Sequence, residues 1–292
     1  MINNAFVSIS IKSIRLYRKR SGGLFGSTGC GPPRWISDND YYIPAGRLYE
    51  ERTQMKFPEP LIAGRLVRRY KRFLADCILT DGSAVTAHCP NTGAMLGCAQ
   101  PGSRVWLSRS NNPKRKFPLT WEIVEPSPGT LAGINTARAN ALVREAIEAG
   151  KIPALQGYTD LRREVRFGRE GSRVDFLLEG SDGLAPCYLE VKSVTASLGN
   201  GVGIFPDAVT VRGARHLREL SRVVENHGRG IVFFCVQRPD VHEVRAADAI
   251  DPIYGETLRE ALAKGVEAMA WRARISTEGM ELRDPLPVIL SS

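Results

Sequence analysis

The chain has 292 residues, 43% apolar and 24% charged, an ordinary globular composition long enough for one large or two modest domains. No run of about 18 apolar residues occurs, which excludes a spanning helix, and six cysteines at 30, 77, 89, 98, 187 and 235 are too sparse for the disulfide framework of small secreted domains. The formal net charge of +9 is unevenly placed: residues 1–54 carry 8 basic and 4 acidic groups, 55–126 carry 11 and 5, and 127–292 carry 21 and 22.

A basic module beside a near-neutral one is the pattern of a protein that attracts a polyanion with one part and does something else with the other. The expectation is a cytoplasmic protein with reduced thiols, DNA or RNA as its partner and no membrane association. Residues 1–54 hold the basic run Lys12 to Arg20 and a Gly, Ser and Pro-rich stretch from Ser21 to Pro33. Basic residues mixed with Ser also resemble a transit peptide. The preferred reading is a disordered or non-native extension ahead of Met55.

From Phe57 to Pro126 the text reads as five short strands, at 64–70, 73–79, 83–87, 104–108 and 120–124, with Asp81-Gly82 as a hairpin turn. Five strands in about 70 residues without a helix predict a small OB-like β-barrel over residues 55–126. Such a barrel binds nucleic acid across one face. Arg65, Arg68, Arg69, Lys71 and Arg72, with Tyr70 and Phe73 among them, supply charge and stacking surfaces, and Lys114, Arg115 and Lys116 beside Phe117 form a second cluster. His88, Cys89 and Cys98 come nearest to a zinc site, but they lack a fourth ligand and paired CxxC spacing.

Pro126 to Gly129 reads as a linker. Beyond it, residues 127–292 change period. A helix is predicted over Thr136 to Ala149, then strands at 161–167, 173–178 and 187–194. A Gly-rich loop follows at 199–203, then a helix over Arg212 to Val224, a buried strand at 230–236, a helix around 254–264 and a final strand around 266–275. Helices alternating with strands predict a mixed α/β layer fold, so the chain as a whole is α+β.

Three charged residues interrupt this apolar text: Asp175 in one strand, and Glu190 and Lys192 in the next. Strand side chains alternate faces, so Glu190 and Lys192 point the same way with Cα atoms roughly 6.5 to 7 Å apart. Should the two strands pair with Asp175 on that same side of the sheet, two carboxylates meet and take a hard cation through oxygen. Magnesium is the expected ion, with manganese as a substitute. Glu164 on the preceding strand is a candidate third metal ligand, with a surface ion pair to its arginine neighbours as the alternative. On the following helix Arg212, Arg215 and His216 share a face that can meet phosphate.

An Asp on one strand and Glu-x-Lys on the next resembles the PD-(D/E)XK nuclease superfamily. The chain from Met55 onward is similar to the sugar fermentation stimulation protein (SfsA) family, through Arg69 to Asp76, His88 to Gly93, Ser172 to Phe176, Glu190 to Thr195 and Phe205 to Ala208. The resemblance implies an N-terminal OB-like domain, a C-terminal nuclease-like domain, DNA binding with little sequence preference, and a role as a DNA/RNA nuclease with Asp175, Glu190 and Lys192 as catalytic residues. Val174 stands where the superfamily has Pro. The literal Pro206-Asp207 pair follows Glu-x-Lys in the wrong order, so Asp207 reads as a turn or helix-entry residue or a group behind the metal ligands. The alternative function is a non-catalytic DNA-binding regulator of sugar or maltose metabolism that keeps the nuclease fold. A homodimer suits cutting of both strands.

Overall fold

The computed structural model describes residues 54–181 and 183–290. The expected extension at 1–54 lies, but for Gln54, outside the described residues. All described residues fall within one compact unit.

The barrel forms as its alternating text demands. Strands β2 (Ile62–Tyr70), β3 (Leu74–Leu79), β4 (Ala84–His88), β5 (Arg104–Arg109), β6 (Leu119–Ser127) and β7 (Thr130–Gly133) make one antiparallel sheet in the order β4-β3-β2-β5-β6-β7. A β4–β6 pairing at His88 and Thr120 closes it. Gly82 turns the β3–β4 hairpin at φ 85, and Asp81 accepts the backbone N–H of Ser83. Leu66, Cys77, Val105, Leu107 and Trp121 fill the interior. The linker expected at Pro126 to Gly129 is instead the β6–β7 hairpin: Ser127 pairs with Thr130 and Gly129 turns at φ 80. Pro and Gly there punctuate a turn within the sheet, a signal that linkers and hairpins share.

A seven-stranded sheet forms the second half, in the order β1-β16-β15-β13-β10-β9-β8. Its members are β1 (Met55–Lys56), β8 (Tyr158–Phe167), β9 (Ser172–Gly180), β10 (Cys187–Val194), β13 (Arg229–Val236), β15 (Glu267–Ile275) and β16 (Gly279–Leu286). Strands β10, β13 and β15 run parallel, and β13 is buried along almost its whole length, as a central strand covered on both faces should be. Three expectations need correction. Met55 and Lys56 belong to this sheet rather than to the barrel. The strand at 266–275 is not final, because β16 pairs antiparallel with it. The Gly-rich loop at 199–203 is a hairpin of β11 (Ser197–Gly199) and β12 (Val202–Phe205), part of a small sheet with β14 (Glu243–Ala246) and β17 (Val288–Ile289).

Helix α1 (Ala137–Glu148) covers one face of the large sheet, burying Leu142, Val143 and Ala146 against Phe176, Leu189, Val191 and Phe233. Helices α2 (Val211–Glu225) and α3 (Pro252–Ala263) cover the other, where Leu217, Leu220 and Leu258 meet Val232, Phe234 and Val236. Phe57, Trp106 and Ile123 join the α1-side core, so barrel and sheet share one apolar interior. Cys77, Cys89, Cys98, Cys187 and Cys235 are buried free thiols spread through both halves.

Candidate active site

Strand β10 sets the site. Its odd residues, Leu189 and Val191, enter the α1-side core, so Glu190 and Lys192 face α2. Both are buried, at 4% and 9% exposure. Lys192 Nζ lies 2.8 Å from Glu190 Oε1, so the pair expected from strand alternation forms.

Asp175 arrives differently from the simple expectation. The β9–β10 ladder runs from Leu178 and Cys187 to Phe176 and Leu189 and then ends. Beyond it the backbone N–H of Val191 donates to Asp175 Oδ2 at 2.7 Å, and Asn140 Nδ2 on α1 donates to Oδ1 at 2.8 Å. The carboxylate therefore sits in the fork where β9 leaves β10, reached from the α1 face, while Glu190 stands on the α2 face. No continuous ladder joins the two carboxylates, and they are near enough only to feel one another's charge. Their charges interact: burial first, and then the neighbouring Glu190, push the Asp175 carboxyl up to about 6. Burial works to raise Glu190 as well, but Lys192 and His216 outweigh it and hold that carboxyl below its ordinary value.

His216, expected at a phosphate-facing surface, is instead buried, at 1% exposure. Its Nδ1 lies 2.5 Å from Glu190 Oε1, and Arg212 Nε donates toward its Nε2 at 3.4 Å. An ionised carboxylate can only accept, so the imidazole donates through Nδ1 to Glu190. Gly213, His216, Leu217 and Leu220 form the buried stripe of α2, and that helical spacing is the signal that places His216 inward. Asn140 carries no such signal. Tyr254 is another unforeseen neighbour: burial first, and then the Glu190 charge, push its hydroxyl upward, and that hydroxyl has no hydrogen-bond partner among the described residues.

Glu190 Oε2 is likewise buried without a partner among the described residues. Glu164 does not complete a cation cage. It is exposed at the left-handed φ of 52, and no group of three or more His, Cys, Asp or Glu side chains among the described residues is arranged to hold a metal. That finding also removes the zinc reading of His88, Cys89 and Cys98. The same loop instead fastens the barrel to the second half: Asn91 donates to Thr195 Oγ1, Cys98 Sγ to the Thr195 carbonyl, and Asp207 accepts the Met95 N–H at 3.0 Å. Asp207 is thus a latch between the halves, close against Gly93, where any Cβ would lie 2.1 Å from its Oδ1.

The barrel's basic residues divide by role. Arg69 donates to the carbonyls of Arg72, Asn91 and Gly93, and Arg72 to that of Thr92, so both hold the loop that carries the latch. Arg65 donates to the Gly102 carbonyl, Arg68 pairs with Asp76 beneath the Tyr70 hydroxyl, and Arg115 reaches Thr120. Lys71, Phe73, Lys114 and Lys116 are exposed.

Residues 67–134 match the family model described as the SfsA N-terminal OB domain, and residues 137–279 match the one described as the sugar fermentation stimulation protein RE domain. A curated sugar fermentation stimulation protein homolog from Pelobacter propionicus is 61% identical over 236 residues, 81% of this chain and 100% of that protein. The homolog from Alkalilimnicola ehrlichii is 56% identical over 235 residues, 80% and 99% of the two chains. Among solved structures, Pyrococcus furiosus SfsA in complex with Ca2+ aligns with a TM-score of 0.73 at 27% identity, covering 81% of this chain and 99% of that one. Among the described residues no helix is long and apolar enough to cross a membrane.

Proposed function

Given that the chain belongs to the sugar fermentation stimulation protein family, we propose that it is a metal-dependent phosphodiesterase acting on DNA or RNA, with Asp175 and Glu190 holding the cation. The observation that carries this reading is Glu190 Oε2, a buried carboxylate oxygen without a partner, beside a second carboxylate whose ionisation it opposes. A divalent cation satisfies the oxygen and removes the repulsion together. Two carboxylates fit magnesium, which keeps several waters and completes its shell with substrate phosphate, so a third protein ligand is not required. The Pyrococcus furiosus protein is in complex with Ca2+, a hard oxygen-seeking ion of the same kind.

When bound, magnesium or manganese supplies Lewis-acid charge at the scissile phosphate. The protein's own residues prepare the place for it. Val191 N–H and Asn140 fix the orientation of Asp175. His216 and Lys192 occupy Oε1 of Glu190 and leave Oε2 as the free donor. Lys192, buried beside Glu190, would stabilise the negative charge that gathers on the phosphate, and a low dielectric would strengthen its effect. The β-barrel contributes exposed Lys71, Lys114, Lys116 and Phe73 for backbone charge and base stacking.

The deciding experiment incubates purified protein with labelled single- and double-stranded DNA and RNA, with magnesium, manganese or chelator, beside Asp175→Ala and Lys192→Ala. Cation-dependent cleavage lost in both variants is the expected outcome. Cleavage indifferent to both would remove this site from the mechanism. The depth of Glu190 and Lys192 favours a second reading, a non-catalytic nucleic-acid-binding regulator in which they are a structural ion pair. Binding without cleavage under every cation would select it.

A further inference from the structure

The β8–β9 hairpin is the outer edge of the large sheet and carries Asp175. Arg163, Arg166, Arg169 and Arg173 on it are exposed, and none of their side chains has a hydrogen bond or ion pair among the described residues. Their neighbours differ: Arg162 pairs with Asp160 and Glu179, and Glu170 is taken by Arg218 and Arg222. Arg166 and Arg173 are directly opposed in the ladder. Opposed residues share a face with Cα atoms roughly 4.5 to 5.5 Å apart, and like charges so placed destabilise the pair.

A bend gathers these charges on the side of the carboxylate. Leu161 and Phe176 lie in the α1-side core, yet Val165, Phe167 and Val174 lie in the α2-side core. Regular alternation would put residues 161 and 165 on one face. The left-handed Glu164, φ 52, breaks it. Arg163, opposite Phe176, therefore faces the α1 side, and past the bend Arg166 and Arg173 face that side too, away from Val165 and Val174. Asp175, bonded to Asn140 of α1, is on the same side. The hairpin tip is fixed as well: Glu219, wholly buried on α2, accepts the backbone N–H groups of Arg169 and Glu170 at 3.0 and 2.8 Å.

We propose that this face of the β8–β9 hairpin is a phosphate clamp, in which Arg163, Arg166 and Arg173 grip the backbone of the nucleic-acid strand presented to Asp175. A bound phosphate lies between the opposed arginines and removes their repulsion, and guanidinium groups meet phosphate oxygens in bidentate fashion. The anchored tip fixes the backbone that carries them, so on binding only the arginine side chains remain to be ordered. The position of the scissile bond rests on the phosphodiesterase reading, whereas the grip on the backbone stands without it.

The test measures fluorescence anisotropy of a short labelled DNA duplex, and of its single strand, across a salt series in chelator, where no cleavage occurs. Arg166→Ala with Arg173→Ala is expected to weaken binding at least ~10-fold and to lower the slope of log affinity against log salt by about 2, one contact per arginine. The Lys pair at both positions keeps the slope, Arg162→Ala leaves affinity unchanged, and the melting temperature of the double Ala variant does not fall, since a repulsion has been removed. Wild-type affinity and slope in the double Ala variant overturn the clamp. Should that variant lose binding while the wild type cuts nothing with any cation, the clamp stands and the phosphodiesterase reading falls. Should the wild type cut and the variant bind normally, the reverse holds.

Discussion

Asp175 is held in a state that costs the fold stability. Its carboxyl, at about 6 in the folded chain against 3.8 for an unperturbed Asp, is harder to ionise folded than unfolded. Stability from this group is therefore fully present below about pH 4 and lost as the pH rises through about 6. A shift of about two units corresponds to about 3 kcal/mol. Asp175→Asn, which cannot ionise, is expected to be more stable than the wild type at pH 8 in chelator, by up to that amount. The difference shrinks as the pH falls toward 5, and magnesium narrows it at pH 8 by stabilising the wild type alone. Thermal melts of both proteins over that pH range check this, and a wild type that melts higher in chelator at pH 8 would contradict it. Under the proposed function this cost has a use, because the charge that destabilises the fold without a cation is the charge that would hold one.

The hairpin of β8 and β9 decides where that residue ends up. Gly168 and Gly171 turn it at nearly the same left-handed angle, φ 69 and 67, but a Cβ on Gly168 would lie 1.9 Å from Glu219 Oε2 whereas one on Gly171 would meet nothing within 4 Å. Gly171→Ala should cost about 1 kcal/mol of backbone strain. Gly168→Ala adds the loss of charge-assisted bonds from Arg169 and Glu170 and should cost about 2 to 4 kcal/mol. Denaturant melts separate the two, and equal losses would mean that Glu219 does not anchor the turn. Legibility in the sequence divides at this element. Glu190 and Lys192 are readable because a strand has period two, and the order of helices and strands is readable from apolar spacing. The side on which Asp175 lies is not, since it depends on one left-handed residue, Glu164, of a type that normally avoids that conformation. Nor are β14, β16 and β17, short or polar strands that owe their existence to pairing with neighbours rather than to their own text. Arg69 and Arg72 have a role the sequence does not show for a related reason: both donate to distant carbonyls, and only the fold brings Asn91 to Gly93 within reach.

At the scale of the molecule, barrel and sheet are not two beads on a string. Phe57, Trp106 and Ile123 lie in the core built around α1, and Thr195, three residues beyond Lys192, is bonded from the barrel by Asn91 and Cys98. Movement of the barrel is thus coupled by direct contact to the strand that bears the site. The scattered thiols make this coupling measurable. Burial pushes Cys77 in the barrel, and Cys187 and Cys235 in the sheet, up to about 12, so none of them is a reactive thiolate at neutral pH. An alkylating reagent can reach them only when the surrounding structure opens. Under partial denaturation, mass spectrometry of the alkylated peptides should then give one rate for all three, whereas early alkylation of Cys77 alone would reveal a barrel that unfolds by itself. Nature has in effect installed chemical clocks in each half of the molecule, and whether they keep the same time reports how far a load on one half is felt in the other.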